Sequence, residues 1–328
     1  MKYFITGITG FAGPHLARLL LQNGHTVHGL VRESNGREMD LLDVLEAQEL
    51  DQITFHYGDL CEFHSLARIF AAEQYDGVFH LAAQSHPPTS FVDPVGTLAA
   101  NVMGSANLIE AIQRHQKDCT LMACSTSEVY GDSGKTVGVL REDMGLTPSN
   151  PYATSKAAMD LHVQERCHSG VLKGFITRAF SHTGPRRGKK FSISWDAYYL
   201  ALMATGKVKD RILPVGNLET QRIVMDVRDT VNAYYMLMLK HDNGAAYNVC
   251  GPEDSVCKMQ VFTDKLIEIS GLKGVEKQIS PKLYRPIDIQ IQRGDTTRLR
   301  EKTGWKQEIG IDKTLEDLYQ YWVRKLTH

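Results

Sequence analysis

The stretch Ile5–Leu20, "ITGITGFAGPHLARLL", decides the fold. The apolar run Tyr3–Ile5 enters it as a short buried strand, and "HLARLLLQN" leaves it with the spacing of a helix. Between them Gly7, Gly10 and Gly13 follow the pattern G-x-x-G-x-x-G. A glycine turn from strand to helix lets backbone N–H groups approach a pyrophosphate, and the helix N-terminus adds positive potential. This context makes a common glycine triplet into an expected dinucleotide site, with Gly7, Thr9, Gly10, Phe11, Ala12 and Gly13 as contacts.

Working outward, Val27–Val31, Ile53–Phe55, Val78–Leu81, Leu121–Ala123 and Phe175–Ile176 are further short apolar runs. Segments with helical spacing lie between them, among them "SLARIFAAEQ" and "SANLIEAIQRH". Such alternation predicts an α/β fold: a doubly wound parallel sheet of Rossmann type, with right-handed crossovers. After about residue 180 the rhythm changes, through the basic "TGPRRGKK" and the helix-like "SWDAYYLALMATG". We therefore expect a smaller, mixed α/β C-terminal substrate subdomain. The dinucleotide domain would span 1–180 plus about 220–250, the second unit 181–219 and 251–328. "GAAYNVCG" reads as one more strand at the sheet edge, and "GWKQEIGIDKTLEDLYQYWVRKL" as an amphipathic terminal helix.

The 328 residues are enough for a large core, and their formal charge of −1 offers no global field for nucleic acid or an anionic membrane. Six cysteines lack the close pairs of a zinc site and the density of a secreted disulfide scaffold. No metal is expected. No apolar run approaches the roughly 20 residues of a membrane span, and "MKYFIT" leads straight into a strand, so a cytoplasmic location is expected.

At the end of the second strand Arg32 stands where an NAD site would want a carboxylate. Arginine suits the extra phosphate of NADP; NAD stays possible, with Glu33 next door. Asp59 and Leu60 after the third strand either face the adenine ring or, for Asp59, cap the following helix. "STSEVYG", Ser125–Gly131, taken alone is a strand-to-loop turn. It acquires chemical meaning beside "NPYATSKAAMDL", in which Tyr152 and Lys156 stand four apart on one helix face. There the ammonium is expected to lower the phenol's pKa and hold a ribose, while Tyr152 exchanges a proton with a sugar hydroxyl.

Gly7, Gly10, Gly13, Asp59, "HLAAQS", Thr126, Tyr152 and Lys156 together resemble an extended short-chain dehydrogenase/reductase, over nearly the whole chain. The triplet Thr126, Ser127 and Glu128 is similar to that of the GDP-mannose 4,6-dehydratase branch. This resemblance implies bound NADP and a GDP-sugar substrate, GDP-mannose or a related GDP-hexose or heptose. Oxidation at carbon 4, with Tyr152 taking the hydroxyl proton, would acidify carbon 5. Glu128 would remove that proton, water would leave carbon 6 with help from Glu128 or Ser127, and the hydride would return to carbon 6. Leu81, Ala82, Ala83 and His182 join the expected cofactor contacts. Gln84, Ser85, Ser181, Arg186, Arg187, Val215, Asn217, Arg222, Arg285 and Asp288 are the expected substrate contacts.

Ser181, Ile223 and Trp195 depart from the branch's usual residues, and "RAFSHTGP" and "YNVCG" are also similar to reductases of the 4-keto product. The rival readings are thus a GDP-4-keto-6-deoxy-sugar reductase, a nucleotide-sugar epimerase, and a non-enzymatic dinucleotide-binding regulator. A homodimer or homotetramer is expected, with no nucleic-acid or membrane partner.

Overall fold

The computed structural model describes residues 1–32, 37–116, 118–284 and 287–327. Six strands alternate with helices: β1 (Lys2–Thr6), β2 (Thr26–Val31), β3 (Ile53–Tyr57), β4 (Gly77–His80), β5 (Thr120–Thr126) and β6 (Lys173–Ala179). With the strand Ala246–Val249 they form one seven-stranded sheet, in which Ala246–Val249 lies at one edge and is followed by β6, β5, β4, β1, β2 and β3. Every pair in it is parallel. The order reverses between β1 and β4, so the crevice at their carboxyl ends is where a doubly wound sheet binds ligands.

Successive side chains point to opposite faces of the sheet. Tyr3, Ile5, Phe79 and Met122 enter one core with Leu16 and Leu20 of the helix α1 (Ala12–Gln22) and Tyr234 and Leu237 of the helix Val227–Leu239. Phe4, Val78, Leu121 and Ala123 enter the other, against Phe70, Ile112, Met159 and Val163. Both faces are covered, as the nearly unbroken apolar strands require. A third core lies beyond the sheet, where Leu200, Phe262, Leu266, Leu315 and Leu318 join the helices Ser192–Ala204, Met259–Ser270 and Ile311–Thr327. Short strand pairs accompany it, such as Ile212–Val215 with Glu276–Ile279.

The terminal helix is shorter than the sequence pattern suggested. It begins at Ile311, because Trp305 is buried at 2% exposure and its indole N–H donates to the Asp229 carbonyl at 3.1 Å. Gly304 before it is left-handed at φ 77° and ends the preceding helix Thr297–Thr303.

A buried ion pair fixes the helix Pro151–His168 to the sheet. Arg178 of β6 donates from Nε to Asp160 Oδ2 at 2.9 Å and from Nη2 to Oδ1 at 3.2 Å, with side-chain exposures of 4% and 0%. Its Nη1 donates to the Tyr130 hydroxyl, which donates in turn to Asn248 Oδ1 at 2.8 Å. Removing one partner strands a charge in the core. Asp160→Ala is expected to cost about 3–5 kcal/mol, read as a lower denaturant midpoint.

Asp196, on the helix Ser192–Ala204, is a second buried acid. Burial raises its pKa from 3.8 to about 7, against a 2.7 Å hydrogen bond from Thr263 Oγ1. A folded-state pKa above the unfolded one means that the native state holds the extra proton. The associated stability is present below pH 4 and is lost as pH rises towards 7. Asp196→Asn is expected to lack this dependence, so that the wild-type-minus-variant difference in unfolding free energy falls with rising pH in this window, by at most about 1.4 kcal/mol per pH unit.

Candidate active site

The turn after β1 is shaped by contacts only glycine permits. Gly7 has φ +75°, and a Cβ there would lie 2.7 Å from the Ala82 nitrogen. A Cβ on Gly13 would meet the carbonyl oxygens of Gly7 and Ile8 at 2.4 and 2.5 Å, so α1 packs directly on the turn. Phe11 precedes α1 without a side-chain cap, leaving first-turn N–H groups without the partner a cap would supply. Arg32 and Asp59, following β2 and β3, line the same cleft, and Asp59 Oδ1 accepts the Cys61 N–H at 2.8 Å. The glycine cradle, the uncapped helix start and Arg32 fit an anionic dinucleotide.

The cleft measures about 1110 Å³. The buried hydroxyls of Ser125 and Thr183 line it and have no hydrogen-bond partner among the described residues. Among the described residues, those expected from the sequence as site residues all line this cleft except Arg186 and Val215. Arg285 lies outside the described residues. Arg186, at φ 75°, turns its guanidinium onto the carbonyl oxygens of Thr9 and Gly10, at 3.0 and 3.3 Å, and so braces the glycine turn. Val215 is fully buried in the third core.

The end of β5 brings the candidate catalytic groups together. Thr126 is its last residue, and its hydroxyl accepts the Glu128 N–H at 3.3 Å, capping the single turn Ser127–Tyr130. Glu128, half-buried, accepts a hydrogen bond from Asn150 Nδ2 to Oε2 at 2.9 Å. Asn150 begins the helix Pro151–His168, which carries Tyr152 and Lys156 into the same cleft. That helix is seated by Ser90, whose Oγ accepts the Tyr152 N–H at 3.0 Å, and by Asn101, which donates to Ser155 Oγ at 2.9 Å. Asn101 sits in the wide turn Ala99–Met103, of π-helical geometry, and also holds the Gln84 backbone.

Burial governs the electrostatics. It raises the Tyr152 phenol well above its usual 10, helped by the Glu128 charge, while a Thr126 hydrogen bond and the Arg187 charge oppose it. Desolvation outweighs the lowering by Thr126 and Arg187. Burial also lowers the Lys156 ammonium, with Cys124 and Asp160 acting the other way. His80, between the Thr6 hydroxyl at 2.7 Å and Ser105 Oγ at 2.8 Å, is pushed down to about 3 by burial and the Lys156 charge and stays neutral.

On the other side of the cleft, Arg187 lies 4.7 Å from the ring centre of Phe11 and 3.5 Å from that of Phe191. His182 stacks on Phe11 at 5.8 Å, and burial lowers its pKa to about 4. Arg222 donates to the Ile289 carbonyl at 2.7 Å and meets Asp288 at 3.3 Å, with Asn217 at 3.4 Å from the same carboxylate. Among the described residues no group of three His, Cys, Asp or Glu side chains could hold a metal, and no helix is long and apolar enough to cross a membrane.

Sequence reasoning missed Asn150, Ser90, Asn101 and His80. Asn150 had a readable signal, an Asn directly before a proline that opens a helix. The other three depend on which loops the fold brings beside the helix Pro151–His168 and β1.

A family model described as GDP-mannose 4,6 dehydratase matches residues 4–318. A GDP-6-deoxy-D-mannose reductase of Pseudomonas aeruginosa is 31% identical over 325 residues, covering 98% of this chain and 97% of the relative. A GDP-mannose 4,6-dehydratase of Vibrio cholerae is 29% identical over 351 residues, covering 97% and 92%. The solved structure of RMD from Pseudomonas aeruginosa complexed with NADPH has a TM-score of 0.83 at 28% identity, covering 99% of both chains. With the glycine cradle and the Thr126, Tyr152 and Lys156 cluster in one cleft, these likenesses place the chain in the GDP-mannose 4,6-dehydratase family.

Proposed function

We propose that this chain is a GDP-sugar 4,6-dehydratase that converts GDP-mannose, or a related GDP-hexose or heptose, to the 4-keto-6-deoxy sugar. The observation that carries this reading is Glu128, a carboxylate held by Asn150 in the cleft that Tyr152 and Lys156 line. A simple reduction of a ketone needs a proton donor and a positioned cofactor, which Tyr152 and Lys156 supply; it has no use for an added base. Dehydration does, because carbon 5 must lose a proton once carbon 4 is a ketone.

A nicotinamide dinucleotide in the glycine cradle would supply reversible hydride transfer, and Arg32 favours NADP by its match to a phosphate. The chain's own groups do the rest. Thr126 and Tyr152 would hold the 4-oxygen, and Tyr152 would take its proton. Glu128 would take the carbon-5 proton, and Glu128 or Ser127 would deliver a proton to the departing 6-hydroxyl. Arg187, Arg222 and Asp288 would contact the nucleotide and its phosphates, since forked guanidinium donors suit phosphate oxygens.

The 31% identity to a GDP-6-deoxy-D-mannose reductase supports a second reading, reduction of the 4-keto product. One experiment separates the two. GDP-mannose and a GDP-heptose are incubated with the protein in deuterated water without added cofactor, and the products are weighed. Dehydration predicts loss of one water with one solvent deuteron at carbon 5. Unchanged substrate, with consumption of NADPH on a 4-keto-6-deoxy sugar instead, would replace this reading with the reductase.

Two variants sharpen it. Glu128→Gln is expected to lower dehydration by about 100- to 10,000-fold, the scale of a general base, while dinucleotide binding by titration is unchanged. Arg32→Asp is expected to reverse the preference for NADPH over NADH in direct binding measurements.

A further inference from the structure

We propose that Asn150 is a positioning residue that fixes which oxygen of Glu128 takes up the proton; this rests on the reading of Glu128 as the base. Asn150 is 7% exposed, and its backbone is extended, with φ −151° and ψ 162°. Its Oδ1 accepts the Ala153 N–H at 2.8 Å, the N-terminal cap of the helix that carries Tyr152 and Lys156. Its Nδ2 donates to Glu128 Oε2 at 2.9 Å.

These two contacts determine the orientation of the amide. Turned over, it would set its oxygen against the Glu128 carboxylate and its N–H groups against the Ala153 N–H, so both contacts would become repulsive. The helix cap therefore holds the amino group towards Glu128. An amide NH₂ has donors and no acceptor, so the oxygen it faces stays an acceptor. Accepting that hydrogen bond makes Oε2 the less basic of the two, so a proton arriving at Glu128 favours Oε1, whose aim is set by the bond at Oε2.

The same residue registers the base against the acid. Asn150 also accepts the Thr154 N–H on its carbonyl at 2.9 Å, so it is locked into the first turn, two residues from Tyr152. Glu128 is thus positioned by the element that positions the phenol, although the two lie on different parts of the chain. This is how two groups acting at neighbouring carbons can keep their spacing as the loops around them move.

The test uses Asn150→Ser and Asn150→Thr in the full chain with its dinucleotide bound. Serine and threonine are both N-caps, so each keeps the helix, but neither presents an amino group to Glu128. The expected result is a thermal midpoint close to that of wild type and a kcat lower by roughly 100-fold with little change in KM, the scale of a misplaced reacting group. With substrate deuterated at carbon 5, the isotope effect on kcat should grow, since removal of that proton becomes slower than the other steps. Wild-type kcat and isotope effect in both variants would overturn the inference. So would a loss of kcat that tracks a lowered midpoint with an unchanged isotope effect, which would make Asn150 a cap only. If wild type itself releases no dehydrated sugar, the reading of Glu128 fails and this inference with it; dehydration by wild type with unaffected variants sinks the inference alone.

Discussion

With both charges withdrawn from water, Asp160 and Arg178 leave the helix Pro151–His168 little freedom to slide against β6. An ion pair of this kind adds little net stability beyond what an apolar pair would give, but it is intolerant of misregister, because any displacement exposes a charge to a low dielectric. That helix carries Tyr152 and Lys156, and β5 beside β6 ends in Thr126. The spacing of the cleft's candidate catalytic groups is therefore inherited from a contact deep beneath them. Tyr130 and Asn248 extend the network to the edge strand, so the loop after β5 is held at its base as well.

The electrostatics of the cleft follow from how deeply its groups are buried. Tyr152 is driven towards its protonated form and Lys156 towards its neutral one, both by burial. A phenol so placed is a reluctant acid on its own, and its reactivity must come from charges and hydrogen bonds that arrive with ligands. His80 behind Lys156 remains uncharged and joins Thr6 of β1 to Ser105, fixing the strand end through neutral hydrogen bonds without adding a competing cation.

The sheet, its helices and the glycine turn were legible because their determinants are local: apolar runs of strand length, helical spacing, and glycines where strand meets helix. The edge strand Ala246–Val249 was legible for the same reason. The directions taken by Arg186 and Val215 were not legible, because sequence proximity to a basic or loop motif does not say which way a side chain turns. Arg186 adopts a left-handed backbone that sends it behind the glycine turn, while its neighbour Arg187 enters the cleft. For Tyr152 the four-residue spacing with Lys156 is visible in sequence, but the desolvation that raises its phenol belongs to the packed structure. Ser90 and Asn101 were invisible because their partners lie 62 and 54 residues away.

Arg187 sits between one ring from the glycine turn and one from the start of the helix Ser192–Ala204. Each such cation–ring contact is worth roughly 0.5–2 kcal/mol, depending on how far it is shielded from water. Drawing the guanidinium away from either ring forfeits one of these contacts, so the glycine turn and the start of that helix are tied through a single side chain. A shift at one of the two is thereby felt at the other, and any such coupling is reciprocal.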